Sequence, residues 1–133
     1  VNSGPAHQGF MAFATQRGLE WDSARVDGAA VILCNERYRV HVRSAPQGAV
    51  VLHARISEMP IDHRQADALL LKVMQLAGQG LPHVAEALVL TEDESELCLQ
   101  RWVAPDADRL AFSNALEAFL HALGDWRRAT GEL

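Results

Sequence analysis

Six histidines, two cysteines and seventeen acidic side chains hold whatever chemistry this 133-residue chain can perform. His7, His41, His53, His63, His83 and His121 are scattered, with no two of them three or four residues apart and no Cys-x-x-Cys beside them. Metal sites draw ligands from such clusters. Strand alternation places His41 and His53 opposite each other, but two ligands without a third make no metal centre. A phosphate loop must open a helix to aim its free N–H groups at the anion; Gly78-Gln79-Gly80 follows one instead. There is no Gly-x-Ser-x-Gly elbow for a nucleophilic serine. The one run of carboxylates, Glu92-Asp93-Glu94, suits a solvated turn, whereas acid–base work needs carboxylates in unlike, partly buried surroundings. Cys34 and Cys98 sit in apolar strand-like runs and read as small buried hydrophobes in a reducing compartment, with a single disulfide as the alternative. The expectation is a protein that is not an enzyme and has no catalytic residues, no cofactor and no metal.

The polar feature that stands out is a basic strip. Between Arg37 and Ser57 lie Arg37, Arg39, Arg43 and Arg55 and no acid, in a chain whose net charge is −5. Residues 1–66 carry seven Arg against six acids, and residues 67–133 carry five Lys or Arg against eleven acids. The strip is either a solvated sheet face or a surface for an anionic or peptide partner, since Arg offers planar, multi-donor contacts. Nucleic acid is disfavoured: phosphate neutralisation draws on a broad basic surface, and no aromatic platform accompanies these arginines.

Elements must position these groups. Gln8 to Arg17 reads as a helix, with Phe10, Phe13 and Ala14 on one side and Gly18 as its stop. Ala29 to Cys34 is apolar on both faces, as in a strand covered twice. Tyr38 to Ser44 and Ala49 to Ser57 alternate, joined by a type I turn at Ala45-Pro46-Gln47-Gly48. Asp62 and Gln65 form a capping-box pattern for a helix reaching about Ala77. Its apolar stripe, Leu69, Leu70, Val73 and Leu76, is widened by Leu71 and Met74 and needs cover on more than one side. A second copy of the chain is one source of that cover. Val84 to Leu90 and Glu96 to Val103 form a hairpin around the acidic turn Thr91 to Ser95. A long helix, Asp108 to about Arg128, closes the chain.

The order α-β-β-β-α-β-β-α, without repeat or linker, predicts one α+β domain over residues 1–133, with a twisted, mainly antiparallel sheet and helices on one face. At 49% hydrophobic and 22% charged the composition is that of a globular protein. The longest apolar run, Ala29 to Cys34, is far short of the roughly 20 residues that span a bilayer. Val1 to Gly9 has no basic segment followed by an apolar one, so no secretory signal is expected.

With these elements in place, the sequence resembles the class I type III secretion chaperones, the Tir-chaperone (CesT/SycE-like) family, over about Phe10 to Arg128. The resemblance is carried by the opening helix with Phe10, Phe13 and Gly18-Leu19, the meander ending in Ile56, and the Pro60 break before Leu69-Leu70-Leu71. It continues through Ala87-Leu88-Val89-Leu90, Leu97-Cys98-Leu99-Gln100-Arg101, and the closing Phe119-Leu120 and Trp126-Arg127. Trp102-Val103-Ala104-Pro105 stands where the family often has Leu-Pro-Leu.

The resemblance implies a bacterial cytoplasmic homodimer that acts without ATP. It would bind the N-terminal chaperone-binding segment of a secreted effector, keep it extended, and help present it to the secretion ATPase. Effector contacts are expected at Phe10, Phe13 and Leu19, with Val31 and Leu33 below them and Arg37, Arg39 and Arg43 at the rim. The same spacing of Phe10 and Phe13 also suits plain core positions, and it is the resemblance that favours the partner site. The dimer interface is expected at Leu69, Leu70, Val73, Leu76, Val84 and Leu88. The alternative function is a small regulatory protein that binds an anionic ligand or nucleic acid through the Arg-rich sheet face.

Overall fold

A computed structural model describes residues 7–18, 30–34, 37–78 and 86–131. Three helices, α1 (Gln8–Arg17), α2 (His63–Gly78) and α3 (Arg109–Ala129), accompany five strands: β1 (Ala30–Cys34), β2 (Tyr38–Ser44), β3 (Val50–Glu58), β4 (Glu86–Leu90) and β5 (Glu96–Val103). The strands form one sheet in the order β1-β2-β3-β5-β4, and every pairing is antiparallel. The α+β order expected from the sequence is therefore the one observed. The 4–5 hairpin joins the meander through β5, which leaves β1 and β4 as the two edges. No helix among the described residues is long and apolar enough to cross a membrane.

Alternation decides which side of the sheet is the core. Ala30, Ile32 and Cys34 of β1, Val40 and Val42 of β2, Val50, Leu52 and Ala54 of β3, and Leu97 and Leu99 of β5 are all buried in one cluster. Helix α3 lays Phe112, Leu116, Phe119, Leu123 and Trp126 on them, at the spacing of one helical face. Each such side chain contributes roughly 1.5–3 kcal/mol by leaving water. A register shift between Arg55 and Ser57 marks a bulge in β3. Arg127 of α3 donates from Nε (3.2 Å) and from its terminal nitrogen (2.8 Å) to the Arg55 carbonyl, tying the helix to that irregularity.

Helix α1 is seated on α3 rather than on the sheet alone. The Phe10 and Phe13 rings both meet Phe112, at 5.5 and 5.2 Å between centroids. His7 caps α1: its Nδ1 accepts from the Phe10 N–H at 3.1 Å, so Nε2 carries the proton and donates to the Ala104 carbonyl at 2.7 Å. At Gly9 a Cβ would stand 2.4 Å from the Ala107 oxygen and 2.6 Å from the Asp108 oxygen. Main chain cannot retreat as a flexible side chain does. Gly9→Ala is therefore expected to lift the start of α1 and cost about 1–3 kcal/mol in urea denaturation.

Local expectations hold with small shifts. Gly18 ends α1 in the left-handed conformation at φ 64°. Asp108 caps α3 by accepting from the Ala111 N–H at 2.8 Å. Asp62 starts α2, but its Oδ1 accepts from the Arg64 N–H rather than from that of Gln65, the partner a capping box would use. The turn between β2 and β3 is a short 3-10 turn at Pro46–Gly48, with Gln47 at φ 63° and Gly48 at φ 82°, and not a simple type I turn. Helix α2 sends only Val73 fully into the core, with Leu69 and Leu76 packed against it. Leu71 and Met74 remain 57% and 69% exposed.

Candidate functional site

A groove of about 640 Å³ opens between α1, β1 and α3. Its apolar lining comes from Phe13, Ile32, Leu33, Tyr38, Leu116 and Leu120, with Cys34, Ser113 and Gly124 between them. Arg17, Glu117, His121 and Arg128 supply its charged and polar lining. The Arg17 guanidinium lies 5.0 Å over the Phe13 ring, while Tyr38 has Arg37 at 5.5 Å and Arg127 at 5.2 Å. Each such cation–π contact is worth about 0.5–1 kcal/mol at partly exposed sites. One side of the groove is the outer edge of β1, which pairs with no other strand among the described residues, so its backbone groups can hydrogen-bond an added strand.

The residues expected to contact a partner divide between two places. Phe13 lines the groove. Phe10 is 1% exposed and is spent on the contact with Phe112, so it offers no surface here. Val31 and Leu33 do not lie below α1. Side chains alternate along a strand, and it is Ala30, Ile32 and Cys34 that face the helices. Leu33 is 60% exposed and borders the groove from the strand edge. Val31 stands in register with His41 and Leu33 with Arg39, so both share the open face with Arg39 and Arg43. Arg37 precedes β2 and stacks on Tyr38. Leu19 lies outside the described residues. Tyr38 and Leu120, which also line the groove, are not among the contacts expected from the sequence. The available signal was the width of the α3 stripe, in which Leu120 adjoins Phe119 and exceeds what one face can bury.

For the expected interface, Leu69, Leu70, Leu76 and Leu88 are partly exposed, and Val84 falls outside the described residues. Val73 is 4% exposed and packs inwards within its own chain. The apolar surface that α2 presents outward is instead Leu71 and Met74.

No cluster of three or more metal-ligating side chains occurs among the described residues. Cys34 and Cys98 are both free and buried, on opposite faces of the sheet, which excludes a bond between them. Burial pushes both thiols up, against a small opposing effect of Arg17 on Cys34, and Glu96 adds to the rise at Cys98. Protonated, buried thiols are poor nucleophiles. The acidic turn is structural: Asp93 accepts from the Ser95 hydroxyl at 2.6 Å, the Thr91 hydroxyl at 2.8 Å and the Ser95 N–H at 3.1 Å. Those hydrogen bonds, Ser95 first, lower the Asp93 carboxyl to about 2.

His41 and His53 do face each other across β2 and β3, with ring centroids 6.2 Å apart. The amide of Gln100 is 3.0 Å from His53 Nδ1. Burial, then the charges of Arg43 and His41, lower His53 from 6.5 to about 4. Between those two values the unfolded chain binds more protons than the folded one, so stability falls as pH falls through the window from 6.5 to 4. His53→Gln is expected to flatten this part of the profile, read as urea midpoints against pH.

A model of the Tir chaperone protein (CesT) family matches residues 11–127. No curated protein matches the chain. Among solved structures, the HopA1–SchA chaperone–effector complex contains a chain with TM-score 0.62 and 11% identity, over 88% of both chains. The Yersinia pestis type III secretion chaperone SycH in complex with a stable fragment of YscM2 gives TM-score 0.60 and 14% identity, over 87% of this chain and 94% of that one. The ExsC–ExsE complex gives TM-score 0.62 and 17% identity, over 88% and 86%. At these identities the structures establish a shared fold, and the family model spans nearly the whole described domain: the chain belongs to the Tir chaperone (CesT) family.

Proposed function

We propose that this protein is a type III secretion chaperone that holds the N-terminal segment of a secreted effector in the groove between α1, β1 and α3. The observation that carries the reading is that groove, apolar within and bordered by an open strand edge. A disordered segment loses much entropy when it is ordered, and a long wrapped contact offsets that loss. Apolar side chains of the segment enter the groove while its backbone pairs with β1. Nothing in this mechanism consumes ATP. The solved relatives described as chaperones with an effector or a partner fragment support it. The protein works in the bacterial cytoplasm as a homodimer through α2, a role that Leu71 and Met74 support by their exposure, and passes its effector to the secretion ATPase.

The test is to express the proteins encoded beside this gene and measure their capture by the wild-type chain and by Leu33→Asp and Leu120→Asp. Both side chains line the groove and neither is fully buried, so the fold should survive, as thermal melting would verify. Each carboxylate placed against apolar partner atoms is expected to weaken capture by about tenfold or more. Undiminished capture by both folded variants would remove the groove from the account.

A further inference from the structure

The open face of the sheet carries two arginines, Arg39 and Arg43, with no acidic partner among the described residues. Among the described strand residues, Arg55 pairs with Glu58 at 3.3 Å and reaches Glu96 at 4.0 Å, and Arg101 pairs with Glu86 at 2.9 Å. Arg39 and Arg43 make no ion pair among the described residues, and Arg43 Nε is shut off from water with no acceptor. Apolar side chains lie between and beside these cations. Leu33 is in register with Arg39, and Arg43 is in register with Val51, which is in turn in register with Trp102. Leu33 and Trp102 are 60% and 57% exposed.

This face is continuous with the groove. Leu33 sits on edge strand β1, lines the groove on one side and adjoins Arg39 on the other. We propose that the effector segment leaving the groove passes around β1 onto this face, and that it is acidic there, with carboxylates on Arg39 and Arg43 and apolar side chains against Leu33 and Trp102. The inference rests on the groove reading above and specifies the chemistry of its partner. A protein segment suits the face better than nucleic acid does. Two unpaired guanidiniums set among apolar side chains, on a chain of net charge −5, fall short of the broad basic surface that phosphates need.

The experiment uses the full chain and three probes: a synthetic peptide of alternating Glu and Leu, its Lys and Leu counterpart, and a short DNA duplex. Amide NMR shifts and affinities are read at one fixed salt concentration. The Glu–Leu peptide is expected to move Leu33, Arg39, Arg43 and Trp102, and to bind about tenfold more weakly to the double variant R39E/R43Q. The Lys–Leu peptide is expected to bind at least about tenfold more weakly than the Glu–Leu one. Equal binding of both peptides, DNA binding as tight at the same residues, or an unchanged affinity in R39E/R43Q would overturn the proposal. Shifts confined to Phe13, Leu116 and Leu120 would overturn it too, while upholding the groove. Silence from both peptides, with capture still lost in Leu120→Asp, would do the same.

Discussion

Phe112→Ala is expected to cost about 3–5 kcal/mol and to unseat α1. The Phe112 ring is fully buried and is the common contact of Phe10, Phe13 and the His7 ring, the last at 6.2 Å. Its loss leaves a cavity where three side chains of the α1 segment meet α3. Besides that ring, the described residues hold α1 by the core burial of Ala14, by the His7 bond to Ala104, and by Arg109 donating to Gln16 at 2.8 Å on the surface. Urea denaturation would report the lost stability. Hydrogen exchange would show α1 opening ahead of the sheet, because the β2, β3 and β5 ladders do not depend on that ring. A loss below about 1 kcal/mol, with α1 amides as protected as before, would mean that α1 is held by something other than this cluster. Since Phe13 lines the groove, the same variant should also lose capture of the effector.

The second large effect is on assembly. Leu71→Glu with Met74→Glu is expected to reduce the protein to a single 14.6 kDa chain in light scattering. Both side chains are already mostly exposed within the protomer, so charging them should leave the melting temperature of the isolated chain nearly unchanged. In a dimer built on α2 the same carboxylates would be buried without partners, a cost of several kcal/mol for each such charge. Tight obligate interfaces of roughly 2,000 Å² and more are apolar and tolerate this poorly. Val73→Glu is the useful contrast, because Val73 packs inwards and its substitution should unfold the chain rather than merely separate two copies. A wild-type chain that is monomeric in dilute solution would end this part of the account.

How far the fold could be read from the sequence depends on which forces set each element. The alternation of Tyr38 to Ser44 and of the strand after it fixed both a strand and its inward face, since a one-residue slip would turn every side chain over. Glycine at the end of α1 and Asp108 before α3 marked helix ends through backbone chemistry that acts locally. The facing of His41 and His53 followed from the same alternation. Less legible were matters decided by distant contacts. In Ala29 to Cys34 every residue is apolar, so no polar position indicated which side faced the helices, and Val31 and Leu33 were expected on the wrong side. Phe10 and Phe13 share one helix face, and the sequence has no means of distinguishing a ring spent on Phe112 from one that also lines a groove. In α2 the stripe is wide, and only packing shows that Val73 turns inward while Leu71 and Met74 do not. The pairing of β3 with β5, which makes β4 an edge, joins segments some forty residues apart and left no local trace.

The claim that the groove between α1, β1 and α3 receives an extended effector segment is tested most directly by hydrogen exchange on the full chain. The measurement is made alone and with the N-terminal segments of the proteins encoded beside its gene. A stable complex is expected, with added protection on the outer edge of β1 and at the groove-facing amides of α1 and α3, while the segment itself gains protection only along its contact with the chaperone. Failure to form a complex, or protection confined to surfaces away from the groove, would contradict it.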